Sequence, residues 1–302
     1  MAQASITDLY PSRVTDMPSI TERQDPALWC DLNAPPPGPL TREQLAAFER
    51  DGFLFLPDVF TPDEVERFRM ELSRMANDSE LRGKEETVLE EDGEMVRSIF
   101  RIHRLSDVFR KLAKDPRVAD AARQVLGSDV YIHQSRINLK KPLYGKGFFW
   151  HSDFETWHVE DGMPRPRAVS ASVALTENNE FNGPVMVIPG SHKRFVACVG
   201  ETPDDYYKQS LRKQEAGTPD LESMQTLVAE SSIQAPKGAP GGVLFFECNM
   251  MHGSTENLSP FPRSNAFFVF NSVENTLAEP FSGKEPRPEF AGERDFTPVG
   301  DL

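Results

Sequence analysis

The 302 residues include only three cysteines, Cys30, Cys198 and Cys248, odd in number and scattered. They build neither a disulfide framework nor a CxxC metal site, so a reducing cytoplasm is the expected setting. Long apolar runs are missing too. The longest, Ala266 to Phe270 among them, have five residues, where a membrane helix needs roughly 20, so a soluble protein is expected. Positive charge is scarce: 33 Lys and Arg against 47 Asp and Glu leave a net charge of −14. An acidic surface repels phosphate, which argues against nucleic acid or an anionic membrane as partner and points to a small molecule. The start, Met1-Ala2-Gln3-Ala4-Ser5, has neither a basic nor an apolar stretch, so no secretory signal is expected. No G-x-S-x-G or other recognised nucleophile signature occurs.

What is present falls into two halves. Residues 1–38 are rich in Pro, Asp and Ser and close on Ala34-Pro35-Pro36-Pro37-Gly38, which predicts an arm draped on the surface. Capping signals at Thr41-Arg42-Glu43-Gln44 and Thr61-Pro62-Asp63-Glu64 start two helices, and a third runs from Asp115-Pro116 to Gly127. Phe53 to Leu56 reads as a short strand between the first two. From Val130 the apolar period shortens to two, predicting strands at 130–140, 168–175, 185–188, 243–246 and 266–271. Helices first and strands later favour a mainly β barrel or sandwich with flanking helices over a doubly wound parallel sheet. Residues 199–235 read as an insertion over one face, a lid or a plain surface excursion, and the Pro-rich tail after Glu274 as weakly structured.

Six histidines are available, and two of them open H-x-[DE] pairs: His151-Ser152-Asp153 and His158-Val159-Glu160. On a strand, residues i and i+2 share a face, so such a pair offers an imidazole and a carboxylate to one metal ion. Two His and one carboxylate form the donor set of non-haem Fe(II) oxygenases. The stretch Glu160-Asp161-Gly162-Met163-Pro164 reads as a turn, so the His151 pair is preferred. His252, beyond the strand 243–246, supplies a third ligand, and Arg263 follows just before the strand at Ala266. An arginine there suits the distal carboxylate of 2-oxoglutarate, whose keto acid end would chelate the iron. His103, His133 and His192 are read as structural.

The seventeen residues Phe148 to Pro164, FFWHSDFETWHVEDGMP, resemble the signature stretch of the bacterial ectoine hydroxylases. Asn182-Gly183-Pro184 with Ile188-Pro189-Gly190-Ser191-His192, and Phe245-Phe246 leading to His252-Gly253-Ser254, resemble the wider phytanoyl-CoA dioxygenase superfamily. The likeness runs from about Leu40 to Arg287 and implies one double-stranded β-helix (jelly-roll) domain over 39–302. It also implies Fe(II), with 2-oxoglutarate and O2 as cosubstrates, a homodimer, and hydroxylation of ectoine to 5-hydroxyectoine, a compatible solute of osmotic and heat stress. The family's iron ligands fall on His151, Asp153 and His252. Halogenating relatives replace the carboxylate by a small residue, so Asp153 favours hydroxylation. One departure is Gly241-Gly242, where many members have Gly-Asp.

In the strand 130–140 one parity carries Gln134, Arg136, Asn138 and Lys140, a face either solvated or turned into a polar pocket. The resemblance implies the pocket: Arg136, Asn138, Lys140, Phe148, Ser254 and Arg263 at 2-oxoglutarate, and Gln134, Thr156, Trp157, Phe270 and Arg287 at ectoine. Arg263 and Lys140 compete for the distal carboxylate, with Arg263 preferred for its fork. By pattern alone Phe270 reads as core and Arg287 as a solvated tail residue. Two rival functions remain at this level: a related hydroxylase acting on another small zwitterion such as proline, and a non-catalytic metal-binding jelly roll.

Overall fold

The computed structural model describes residues 7–90, 93, 95–211 and 214–302. Residues 1–6 of the expected arm, and 212 and 213 of the expected insertion, lie outside the described residues. The strands are β1 (Ser19–Glu22), β2 (Phe53–Leu56), β3 (Thr87–Leu89), β4 (Val96–Phe100), β5 (Val130–Lys140) and β6 (Phe148–His151). They continue with β7 (Ala168–Ala174), β8 (Val185–Val187), β9 (Arg194–Ala197), β10 (Val243–Glu247), β11 (His252–Ser254) and β12 (Arg263–Ser272). Seven form one sheet in the order β2-β10-β7-β12-β5-β4-β3, three form a second in the order β6-β11-β8, and β1 pairs with β9. The two larger sheets wall a common cavity, the jelly-roll arrangement expected.

Local chemistry sets the helices. Thr41 with Gln44 and Thr61 with Glu64 each close a capping box, so Arg42–Asp51 and Pro62–Ala76 begin where the sequence signals them. Asp115 caps Pro116–Leu126, which ends on Gly127. Val65, Phe68, Leu72 and Met75 form a buried stripe, and the apolar core lies between these helices and the outer face of the large sheet. Strand alternation then decides which residues reach the cavity: Ala266, Phe268 and Phe270 of β12 belong to that core, while Arg263 and Phe267 face inward.

Several expectations are corrected. The arm is not merely draped: β1 extends a ladder with β9, and Arg13 and Arg23 bury their guanidinium groups against Glu155 and Glu247. Composition showed why the segment forms no helix, but not that its arginines meet carboxylates far along the chain. The tail after Glu274 has little regular structure, yet Phe290 and Ala291 pack in a small apolar cluster with Phe100. The supposed turn at Glu160 is the end of a π-helical turn, Trp157–Asp161. Gly241, at φ 93°, needs its glycine, because a Cβ there would lie 2.3 Å from the Phe60 carbonyl oxygen; at Gly242 the Phe55 ring takes the space of a side chain.

Candidate metal centre

β6 ends at His151 and β11 begins at His252, and the two stand directly opposite in the antiparallel pair. Asp153 does not continue the strand, as the i, i+2 reading required. Ser152 instead caps a short helix, Asp153–Thr156, accepting from the Glu155 amide at 3.4 Å, and Asp153 is its first residue. Its carboxylate still arrives between the imidazoles, 3.6 Å from His151 Nε2 and 3.8 Å from His252 Nε2. Ligand atoms of all three lie within 4.8 Å of one another. Each imidazole has its Nδ1 at a backbone carbonyl, His151 at 2.7 Å from Phe149 O and His252 at 3.0 Å from Met250 O. That bond fixes the tautomer and leaves Nε2 as the free donor, the usual support of a metal-bound histidine.

The charges suit a cation as well. Burial alone would raise the Asp153 carboxyl, but His252, His151 and Arg136 outweigh it and hold it below the usual range. Burial, with His151 alongside, pushes His252 down to about 4, so it stays neutral near pH 7. Two imidazole nitrogens and one carboxylate fit Fe(II), and among the described residues no other cluster of His, Cys, Asp and Glu has this form. His158, the competing histidine, is held elsewhere: it lies 2.8 Å from Met163 O and 3.0 Å from Asp8, and stacks on Phe281 with ring centroids 3.9 Å apart. His103 bonds Ser135, His192 bonds the Glu49 carbonyl, and His133 sits against Asp161.

The cluster opens on a cavity of about 70 Å³. At one end Arg136, Asn138, Phe148, Ser254 and Arg263 line it. Arg263 is 1 % exposed and donates from Nε to the Asn178 amide oxygen at 2.7 Å, but no carboxylate pairs with it among the described residues. Burial pulls it down to about 10. Arg136 likewise has a buried Nε without a hydrogen-bond partner. Lys140 does not line the cavity: its ammonium nitrogen reaches behind Ser254, 2.9 Å from Oγ, and also meets the Thr255 carbonyl. Burial, Arg263 and Arg97 together push Lys140 down to about 6.

At the other end stand Gln134, Thr156, Trp157 and Arg287. Arg287 is a surprise relative to its sequence context, since it is buried and bidentate to Asp161 at 2.8 and 2.5 Å. Phe270 is corrected: it lies in the helix-side core, and Phe267 lines the cavity in its stead. Phe267 shares strand parity with Arg263, whereas Phe270 has the opposite one. The 199–235 segment contributes Ser210, Leu211 and Gln214 to the wall, and Gln214 donates to Thr156 Oγ1 at 3.0 Å. No local pattern marked these residues; the length of the segment was the only signal.

Residues 48–265 match the phytanoyl-CoA dioxygenase (PhyH) family. The chain is 51% identical over 296 residues to the ectoine dioxygenase of Streptomyces coelicolor, covering 98% of each protein. Among solved structures it resembles EctD from S. alaskensis with 2-oxoglutarate and 5-hydroxyectoine, at 45% identity and a TM-score of 0.86 over 95% of both chains. EctD from S. alaskensis with bound Fe is similar at 43% identity, with a TM-score of 0.83 and the same coverage.

Proposed function

The chain belongs to the phytanoyl-CoA dioxygenase family, and on that premise we propose that it converts ectoine to 5-hydroxyectoine with Fe(II), 2-oxoglutarate and O2. The observation that carries the reading is one buried cavity holding a two-histidine, one-aspartate cluster beside a guanidinium with no carboxylate of its own. When bound, iron with its cosubstrates supplies the oxidation, one oxygen atom entering the substrate while 2-oxoglutarate loses CO2 and becomes succinate.

The protein's part is to hold and to exclude. We assign iron binding to His151, Asp153 and His252, and the distal carboxylate of 2-oxoglutarate to the Arg263 fork, with Arg136, Asn138, Phe148 and Ser254 around it. Lys140 is the weaker candidate, because its charge is suppressed and it is occupied by Ser254 and Thr255. Trp157 offers an aromatic face to the amidinium of ectoine, with Gln134, Thr156 and Phe267 beside it. Arg287 reaches the cavity already shared with Asp161, so a substrate carboxylate meets a tempered charge. Ser210, Leu211 and Gln214 in the wall keep water off the reacting C–H bond.

We read residues 39–302 as one jelly-roll domain carrying the 1–38 arm, in a cytoplasmic homodimer that makes a stress solute. Free cysteines and the family resemblance support this part. The test is incubation with Fe(II), 2-oxoglutarate, air and either ectoine or proline. A gain of one oxygen on ectoine with matching succinate is expected. Oxygen gained only on proline, or no succinate at all, overturns the assignment.

A further inference from the structure

We propose that Arg13 is a positioning residue for the substrate end of the cavity, tying the N-terminal arm, the Asp153–Asp161 segment and the 199–235 segment into one arrangement. This rests on the proposed ectoine hydroxylation. Arg13 is 8 % exposed, and its backbone takes φ 58°, a left-handed conformation that a non-glycine residue holds only when its surroundings over-determine it. Its amide donates to the Cys198 carbonyl at 2.9 Å, fixing the arm beside β9.

The guanidinium makes four hydrogen bonds. Nε and Nη2 fork onto the two Glu155 oxygens at 2.9 and 2.7 Å, while Nη1 donates to Glu160 at 2.7 Å and to Thr202 Oγ1 at 2.9 Å. Glu155 and Glu160 can converge on one cation because the segment ends in a π-helical turn, which brings residues four to five apart onto one face. Gly217 closes the far side: a Cβ there would lie 2.2 Å from Nη2 of Arg13. Arg13 therefore touches both ends of the stretch that supplies Ser210, Leu211 and Gln214 to the cavity wall.

The same segment presents Asp153, Thr156 and Trp157 to the cavity. Asp153 has anchors independent of Arg13, since the Phe154 amide donates to Cys248 O at 2.8 Å and Ser152 Oγ to Asn249 at 3.0 Å. Thr156 accepts from Gln214 of the stretch that Arg13 touches, Trp157 follows it between Glu155 and Glu160, and Arg287 lies 3.9 Å from the Glu160 carboxylate that Arg13 shares. Without Arg13, Glu155 keeps only Ser12 Oγ as a side-chain partner among the described residues, and Glu160, whose other oxygen is 3.9 Å from Arg287 Nε, draws on the guanidinium that Asp161 now holds. Loss of Arg13 is thus transmitted to the substrate end and spares the metal and cosubstrate end.

Full-length Arg13→Lys and the double variant Arg13→Gln with Glu155→Gln test this beside the wild type. Lysine keeps the charge but cannot serve two carboxylates and Thr202 in the fork's geometry, and the double variant leaves Glu155 without a buried unpaired charge. In both, KM for ectoine is expected to rise about tenfold while iron content and 2-oxoglutarate binding stay within about twofold. More succinate should form per 5-hydroxyectoine, and hydrogen exchange should quicken across 199–211 and 214–235. Unchanged KM, coupling and exchange in the double variant overturn the proposal, as does loss of iron and 2-oxoglutarate binding in step with ectoine. Wild-type turnover is measured first: if ectoine is not hydroxylated the substrate assignment fails, and the exchange rates still decide whether Arg13 holds the segment.

Discussion

Of the three arginines that line the cavity, Arg263 and Arg287 stand under opposite electrostatic conditions. Arg287 is buried, which by itself lowers its affinity for a proton, but the charge and hydrogen bonds of Asp161 more than offset this and raise it above the ordinary arginine value. Arg263 is also buried, has no carboxylate partner among the described residues, and falls to about 10. A buried cation without a counter-charge is unfavourable until something supplies one. The difference teaches which end waits for an anion. On the proposed function a ligand's carboxylate would complete the Arg263 end, whereas Arg287 already has Asp161 as its counter-charge.

The largest effect comes from removing the centre that joins the two ends. Asp153→Ala or His252→Ala is expected to lose iron and all hydroxylation, read by metal analysis and product formation, while His158→Ala keeps its iron. An iron-free His158→Ala protein would mean the wrong histidine pair was chosen.

Next, paired substitutions set the ends against each other. Arg263→Met should weaken 2-oxoglutarate binding about 100-fold, the worth of a charge-assisted fork, with unfolding stability unchanged or raised. Arg287→Met should instead cost about 3–5 kcal/mol in urea unfolding, because Asp161 is left buried without its arginine, with His133 beside it. Equal stability losses in the two variants would erase the distinction.

How much of this was legible in the sequence depended on whether the signal was local. Capping boxes, a buried helical stripe and period-two strands are written within a few residues, and the helices at 42–51, 62–76 and 116–126 appear accordingly. His151, Asp153 and His252 were findable because a H-x-D pair, a distal His and a following Arg are few enough to combine, although Asp153 reaches the cluster from a helix start and not from a strand. Phe270 went astray on a question of parity, which the resemblance could not settle and the pairing of β12 with β5 does, Phe267 lying opposite Arg136. Arg13 and Arg23 were invisible, and Arg287 was named only through the resemblance, because their carboxylate partners are distant in sequence. Pro-rich surroundings describe only what such segments cannot form.

Lys140 gives the finest test, since it is the cation that competes with Arg263 for the distal carboxylate. Burial, Arg263 and Arg97 push it down to about 6, with Glu256 and Glu90 opposing weakly. The unfolded chain keeps its proton up to the ordinary lysine range, so between pH 6 and that range it binds a proton the folded protein does not. Stability from this group is therefore fully present at high pH and is lost as pH falls toward 6, with a limiting slope of about 1.4 kcal/mol per pH unit. Urea unfolding from pH 6.5 to 9, with about half a unit between points, should show a shallower rise for Lys140→Met than for the wild type. Identical profiles would mean that Lys140 keeps its charge in the folded protein, and two cations would then share the ligand carboxylate that the contrast between the ends gives to Arg263 alone.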